Sequence, residues 1–230
     1  MRCLDWSPNA LEIASGSNDG TIRRWNPASG HQIAPPVETG HNWVLTIRYS
    51  PQGDKFASGG ADDMINLWSK DGELLVKIEG HSWVNSLCWS KDGAHIFSAS
   101  EDCTTRKWSI EGEERAVIQG HTKAVTSLCL SPDGCHLVTA SRDCSIRIWD
   151  LEANQLVGEP LLHDDELLAL AISSDGQYVA SAGLDKKVYL WNLETALKWD
   201  GDKLRVRMHI AVVRFFLIFR VRMMAMHGPM

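Results

Sequence analysis

The 230 residues, of which 44% are hydrophobic and 23% charged, suffice for one large all-β domain or two small domains with a buried core. The formal net charge of −6 gives no electrostatic reason to bind nucleic acid, so we expect no nucleic-acid partner. The six cysteines form no C-x-x-C pair, and the N-terminal MRCLDWSPNA has no apolar signal core. We therefore expect an intracellular protein, cytoplasmic or nuclear, that is not secreted.

In chain order, the first pattern is a stretch of about a dozen residues that occurs five times. It begins as ASGSNDGTIRRW (14–25), and its copies are ASGGADDMINLW (57–68), SASEDCTTRKW (98–108), TASRDCSIRIW (139–149) and SAGLDKKVYLW (181–191). Each copy has an Asp six residues before a Trp and a Ser or Thr four residues before that Asp. The Trp-to-Trp intervals are 43, 40, 41 and 42 residues.

A second marker keeps the same period. Gly-His pairs occur at 40–41, 80–81 and 120–121, and a degenerate Leu-His follows at 162–163. Within one period, SWVNSLCWS, AHIFSAS, TTRKWSI and EERAVIQ each have strand character, and Asp92-Gly93 marks a hairpin turn. Four antiparallel strands at a period of about 40–45 residues predict one β-propeller blade per repeat.

These markers resemble the WD40-repeat family over residues 1–193, and Trp149-Asp150 is the strict Trp-Asp pair. The resemblance implies an all-β propeller of about five four-stranded blades, with the first and last incomplete and the ring open or truncated. We expect a propeller over 1–196, similar to a partial array of the fungal type. Its approximate blades are 1–35, 36–78, 79–118, 119–160 and 161–196.

The resemblance also implies a hydrogen-bonded set of His, Asp, Ser or Thr, and Trp in each blade. The complete sets are His41–Asp62–Ser58–Trp68, His81–Asp102–Ser98–Trp108, His121–Asp143–Thr139–Trp149 and His163–Asp185–Ser181–Trp191. The first repeat contributes Ser15, Asp19 and Trp25 without a matching His. Such a chain is chemically consistent, because an imidazole can donate to a carboxylate and accept from a hydroxyl, while a buried indole needs an acceptor.

Ser, His and Asp together also raise the possibility of a hydrolase. A nucleophile site is singular and lies in a pocket, whereas this constellation repeats at the blade period, so we interpret it as structural. The predicted inner strands VLTIRYS, VNSLCWS, VTSLCLS and LLALAIS bring no carboxylates together at a central channel, which argues against a propeller enzyme. We expect no catalytic residue, no metal site and no cofactor.

Two charged residues interrupt the predicted core. Arg24 and Lys107 occupy third-strand positions where the other repeats carry aliphatic residues. We expect their stems to be buried and their charged ends to reach water. The first and third blades should then be weaker than the others.

Positions that vary between repeats indicate a recognition surface. The residue before the Asp of each set differs from blade to blade, as does the stretch after the His. The candidate protein-binding residues are Trp43, Trp83, Glu101, Lys123, Arg142, Glu166 and Leu184. Trp43 and Trp83 occupy equivalent sites in neighbouring blades, where they either anchor a partner or pack against the next blade. We expect a non-enzymatic scaffold for a peptide or protein; the alternative is the recognition part of an NTPase-type immune receptor.

The tail, residues 197–230, is basic and apolar. Its apolar run IAVVRFFLIFRV (210–221) is too short to span a bilayer, which needs about 20 residues. Three interpretations stay open: contact with a membrane surface, completion of the last blade, or an extension unrelated to the propeller. Missing blades could also be supplied by self-association, because an open arc exposes strand edges.

Overall fold

The computed structural model describes residues 1–193, so the predictions made for 197–230 lie outside the described residues. Within 1–193, the chain forms five antiparallel sheets that follow one another in sequence order. This confirms the all-β prediction of repeated, mostly four-stranded sheets. The boundaries of the domain and of its blades stay predictions.

The strands of each sheet are consecutive along the chain. The first sheet holds β1 (Cys3–Trp6), β2 (Ile13–Gly16), β3 (Thr21–Trp25) and β4 (Val37–Glu38). The second holds β5 (Val44–Tyr49), β6 (Lys55–Gly60), β7 (Met64–Ser69) and β8 (Leu74–Glu79). The third holds β9 (Val84–Trp89), β10 (His95–Ser100), β11 (Thr105–Ser109) and β12 (Glu114–Ile118).

The last two sheets depart slightly from this pattern. The fourth holds β13 (Val125–Leu130), β14 (His136–Ser141), β15 (Ser145–Asp150), β16 (Gln155–Leu156) and β17 (Leu161–Leu162). Both β16 and β17 pair with β15, so its fourth strand is split in two. The fifth holds β18 (Leu167–Ile172), β19 (Tyr178–Gly183) and β20 (Val188–Asn192).

Local turn chemistry sets the first hairpin of each sheet. Between β9 and β10, the Ser90 amide donates to the His95 carbonyl at 2.9 Å, and the Ser90 hydroxyl accepts from the His95 amide at 2.8 Å. Gly93 stands in this turn at φ 74°, a left-handed conformation that glycine adopts without strain. The turn predicted from Asp92-Gly93 therefore lies between β9 and β10.

The hydrophobic core lies between neighbouring sheets rather than within one. The inner strands β1, β5, β9, β13 and β18 contact one another in that order. At the first junction, Ala14 and Ile22 pack against Phe56 and Trp68 of the second sheet. Packing of the first sheet against the fifth is not among the principal contacts of residues 1–193. The order of the sheets is consistent with a propeller, and whether the ring is open or closed stays a prediction.

Arg24 is buried, so the prediction that its charged end reaches water is wrong. Its side chain is 8% exposed, and its guanidinium lies 3.6 Å from Glu12. It also donates to the carbonyl oxygens of Lys70 and Asp71 (the latter at 3.3 Å) in the β7–β8 turn of the second sheet. Glu12 accepts from the Tyr49 hydroxyl at 2.5 Å. Nearby acceptors and a carboxylate hold this cation between two sheets, which removes the need to reach water.

Lys107 behaves differently. It is half-buried, with its ammonium 5.9 Å from the centre of the Phe97 ring. It lines an open groove of about 400 Å³ between the third and fourth sheets, together with Leu130 and Leu151. Among residues 1–193, no helix is both long enough and apolar enough to cross a membrane.

Candidate functional site

The predicted set of the second sheet forms one continuous hydrogen-bonded network. His41 Nδ1 lies 2.8 Å from a carboxylate oxygen of Asp62, and His41 Nε2 lies 2.9 Å from the Ser58 hydroxyl. The Trp68 indole donates to the same hydroxyl at 2.9 Å. The loop before β5 and the β6–β7 turn are thus tied to the middle of the sheet. We call each such set a polar network.

The third and fourth sheets bring their predicted residues together in the same way. In the third, His81 lies 3.1 Å from Asp102 and 2.6 Å from Ser98, which accepts from the Trp108 indole at 2.9 Å. In the fourth, His121 lies 2.9 Å from Asp143 and 2.8 Å from the Thr139 hydroxyl. The Trp149 indole donates to that hydroxyl at 2.9 Å.

The networks of the first and fifth sheets are shorter. In the first, Trp25 donates to Ser15 at 2.9 Å, while Asp19 accepts from the Thr21 hydroxyl at 2.7 Å in the turn. The Asp19 side chain is 50% exposed. This carboxylate therefore organises a surface turn rather than an internal network.

In the fifth sheet, one predicted bond is not formed. His163 Nε2 lies 2.6 Å from Ser181, and the Trp191 indole donates to Ser181 at 2.8 Å. Asp185, predicted to bond His163, accepts instead from the Tyr189 hydroxyl at 2.7 Å. The Tyr189 ring lies edge-on against the His163 ring at 4.1 Å and so occupies the space beside the imidazole.

The pKa is lowered for two imidazoles and two carboxylates of the networks, namely His41, His81, Asp102 and Asp143. Burial lowers the pKa of His41 and of His81, and the attraction of Asp62 and Asp102 offsets this only in part. Burial raises the pKa of Asp143, but hydrogen bonds from His121, Ser145 and the Thr122 amide outweigh it, and the net pKa lies well below its usual range. A neutral imidazole can donate to the carboxylate through Nδ1 and accept from the hydroxyl through Nε2.

The same arrangement cannot receive a substrate. Ser58, Ser98 and Thr139 are each 0% exposed, and each hydroxyl already contacts an indole and an imidazole. Residues 1–193 also contain no group of three or more His, Cys, Asp or Glu side chains placed to bind a metal ion. The networks therefore join the loops of a sheet to its centre.

The candidate binding residues lie at the ends of the sheets where these loops meet, and we call this surface the rim. Trp43 and Trp83 are 39% and 42% exposed, and their rings contact edge to face at 5.8 Å. The Trp43 carbonyl accepts from the Ala61 amide at 3.1 Å, and the Trp83 carbonyl from the Glu101 amide at 3.0 Å. Both backbones are thus fixed, whereas both side chains contact each other across two sheets and face solvent.

The other candidates continue this rim. Arg142 and Glu101 form an ion pair at 2.5 Å between the fourth and third sheets. Lys123 lies 3.4 Å from Glu166 between the fourth and fifth, and Leu184 is 50% exposed. Neighbouring sheets are therefore connected at the rim by side chains as well as by their core.

The fourth sheet differs from the second and third at the place of Trp43 and Trp83. The Ala124 carbonyl, not that of Lys123, accepts from the Arg142 amide at 3.0 Å, in the way that the Trp83 carbonyl accepts from Glu101. The fourth sheet therefore has a buried alanine at this place, where the second and third sheets have a half-exposed tryptophan. One extra residue between His121 and β13 shifts Lys123 away from it.

Sequence reasoning missed two rim residues. The Arg2 guanidinium lies 5.6 Å above the Trp43 ring, and Arg2 Nε donates to the Asn18 side chain at 2.7 Å. Asn85 donates to Glu101 at 3.0 Å. Asn85 carried a usable signal, because it stands two residues after Trp83 and alternate strand residues share a face. Arg2 lies outside every repeated marker.

The repeated networks and sheets match a known family model. The model described as "WD domain, G-beta repeat" matches residues 1–26, 35–69, 72–109, 112–150 and 156–192. The chain belongs to the WD40-repeat family. The five matches correspond in order to the five sheets.

This WD40 chain is distantly related to characterised members of the family. It is 35% identical over 82 residues to the guanine nucleotide-binding protein subunit beta of Arabidopsis thaliana, which covers 32% of this chain and 21% of that protein. A match to the same-named subunit of Nicotiana tabacum is 35% identical over 69 residues, covering 29% and 17%. The small ribosomal subunit protein RACK1y of Oryza sativa subsp. japonica is 32% identical over 82 residues, covering 34% and 24%. The chain thus spans a quarter or less of the length of these relatives.

Proposed function

We propose that this WD40 protein is a non-enzymatic platform that binds a peptide or protein partner on its rim. The observation that carries the proposal is the Trp43–Trp83 pair, two large aromatic side chains held half-exposed by fixed backbones. Exposed Trp residues are among the commonest energetic anchors of protein interfaces. Each Trp packs against the other across the second and third sheets, and 39% and 42% of the two side chains still remain exposed for a partner.

The division of labour within the repeat supports the same proposal. The polar networks recur with nearly constant geometry and bury their hydroxyls, so they act on the framework. The rim residues differ in charge and size from sheet to sheet. A rigid framework that carries variable side chains is suited to recognition. The intracellular location stays a prediction from cysteine usage.

The proposal is tested by comparing what two paired variants capture. Trp43→Ala/Trp83→Ala removes the rim anchor, whereas Leu74→Ala/Leu75→Ala removes two exposed apolar residues of the outer strand β8, 50% and 47% exposed. Wild-type and variant chains of residues 1–230, each shown to be folded by circular dichroism, are immobilised on a resin and incubated with a lysate, and bound proteins are quantified by mass spectrometry.

We expect the rim pair to lose a defined subset of the proteins that wild type recovers, and the β8 pair to retain it. Equal recovery by the rim pair and wild type would contradict the proposed function. So would losses shared equally by both pairs, since this would indicate general apolar adhesion.

A further inference from the structure

The loops around the Trp43–Trp83 pair form one contiguous surface. The Val44 amide donates to the Ser17 carbonyl at 3.0 Å, which joins the β2–β3 turn of the first sheet to the start of β5. The Gly80 amide donates to Asp63 at 2.9 Å, which joins the second sheet to the loop before Trp83. Five loops, each taken with at most one adjoining strand residue, are therefore neighbours around one aromatic pair: 17–20, 38–43, 60–63, 79–83 and 100–104.

These five loops are strongly acidic. They contain no Lys or Arg. Their seven carboxylates are Asp19, Glu38, Asp62, Asp63, Glu79, Glu101 and Asp102. Three arginines outside these loops pair with three of the carboxylates. The distances are 3.7 Å for Arg23 and Asp19, 2.5 Å for Arg142 and Glu101, and 3.3 Å for Arg106 and Asp102. Asp63 and Glu79 are exposed on the same loops. An exposed aromatic surface inside a negative field favours a cationic ligand.

The chain already places a guanidinium on this surface. Arg2 lies over the Trp43 ring at 5.6 Å while its Nε donates to Asn18 at 2.7 Å. Arg2 is itself exposed, so this contact is not enforced by burial. A guanidinium suits the site better than an ammonium, because it is planar, weakly hydrated and stacks on aromatic faces while donating hydrogen bonds.

We infer that the Trp43–Trp83 pair and the surrounding carboxylates recognise an arginine-bearing segment of a protein partner, with Arg2 as an internal competitor for the Trp43 face. This inference rests on the proposed function, because it names the chemistry of the partner at the same rim. The arginine guanidinium stacks on an indole, the carboxylates supply attraction, and the aliphatic stem of the arginine contacts the second indole.

The test uses the chain of residues 1–230 labelled with ¹⁵N at its tryptophan indoles, whose Trp43 and Trp83 signals are assigned by single Trp→Phe variants. The probes are three short acetylated and amidated peptides of Gly and Leu that differ only in whether their two polar positions hold Arg, Gln or Glu. We expect the Arg peptide to shift both rim signals saturably, about tenfold more tightly than the Gln peptide, and the Glu peptide not to bind.

Two outcomes would overturn the inference. If the Gln and Arg peptides shift both signals with equal affinity, the rim binds peptides without reading charge, and the proposed function stands without this inference. If no peptide shifts either signal, arginine recognition is wrong, and the proposed function is decided by the capture comparison alone.

The role of Arg2 has its own control. Arg2→Ala should tighten binding of the Arg peptide about two- to fivefold, the range expected for loss of an exposed cation–π competitor. Arg115→Ala, which removes an exposed arginine paired with Glu113 on β12, should leave the affinity unchanged. Unchanged affinity in Arg2→Ala, with an unaltered thermal midpoint, would show that Arg2 does not compete.

Discussion

Asp143 accepts more hydrogen bonds than Asp133, an exposed turn carboxylate of the same sheet. It accepts from His121 at 2.9 Å, from the Thr122 amide at 3.0 Å, and from the hydroxyl and amide of Ser145 at 2.6 and 3.0 Å. Its side chain is 7% exposed, whereas that of Asp133 is 59% exposed. Loss of the Asp143 carboxylate leaves several buried donors without an acceptor.

We therefore predict that Asp143→Ala lowers the free energy of unfolding by about 1–3 kcal/mol. Asp133→Ala removes bonds to Ser131 and Cys135 in an exposed turn and should cost less than about 1 kcal/mol. Urea unfolding followed by circular dichroism measures both. Equal losses would contradict the structural role of the networks.

The buried imidazoles predict a loss of stability on acidification. Burial lowers the native pKa of His41 and His81, whereas the unfolded chain takes up protons below about pH 6.5. Their contribution is complete above that pH and is lost as the pH falls toward the native pKa, by up to about 1.4 kcal/mol per pH unit for each imidazole. Asp102 and Asp143, whose native pKa is also lowered, add a further loss below about pH 4.

Urea unfolding between pH 8 and pH 5 measures this slope. We expect His41→Asn to be less stable but to show a shallower slope than wild type, because the variant lacks one of these imidazoles. Stability that is constant or rises between pH 7 and pH 5 would contradict neutral, buried imidazoles in the networks.

Single residues could be predicted from the sequence where the family resemblance implies their partners within one repeat. Ser58 stands opposite Asn66 on the paired strand, and Trp68 lies two residues further along on the same face, so its indole reaches the Ser58 hydroxyl. Arg24 could not be predicted in this way, because its acceptors Lys70 and Asp71 belong to the next sheet. Nor could the sequence predict that Asp185 bonds Tyr189 rather than His163, because this depends on where the Tyr189 ring lies.

At the scale of one element, the groove between the third and fourth sheets predicts a stabilising substitution. Lys107 stands where Leu67 and Ile148 are buried at 1% and 4% exposure in neighbouring sheets. Lys107→Ile should raise the free energy of unfolding by about 1 kcal/mol, because burial of the aliphatic chain outweighs the lost contact with Phe97. Lys91→Ile, at an exposed place on the same groove, should not. A destabilised Lys107→Ile would show that the ammonium is needed there.

Strands were predictable where hydrophobic alternation and turn residues agree, as in β9 and β10. The fourth strands were less so. β4 has two residues and follows Pro35 and Pro36, and β16 and β17 are separated by a segment containing Pro160. Proline lacks the amide that a ladder needs, so strands beside it are shortened or split. The one-residue shift in backbone register at Ala124 could not be predicted, because the number of residues after His121 does not fix which carbonyl pairs with Arg142.

At the scale of the whole molecule, the rim is a joint product of neighbouring sheets. Arg2 and Trp43 join the first and second sheets, and Trp43 and Trp83 join the second and third. Ion pairs between Arg142 and Glu101, and between Lys123 and Glu166, continue to the fifth sheet. No single repeat builds this surface. Recognition therefore depends on the sheets standing in order, which the core between them and the polar networks maintain.

Hydrogen exchange of the tryptophan indoles, followed by NMR on the full chain, tests this separation of framework and rim most directly. The indoles of Trp68, Trp108 and Trp149 are 3%, 3% and 6% exposed and donate to buried hydroxyls, whereas those of Trp43 and Trp83 face solvent. We predict exchange that is slower by at least about two orders of magnitude in the first three, because it requires opening of the sheet. Exchange at a common rate in both groups would contradict the account.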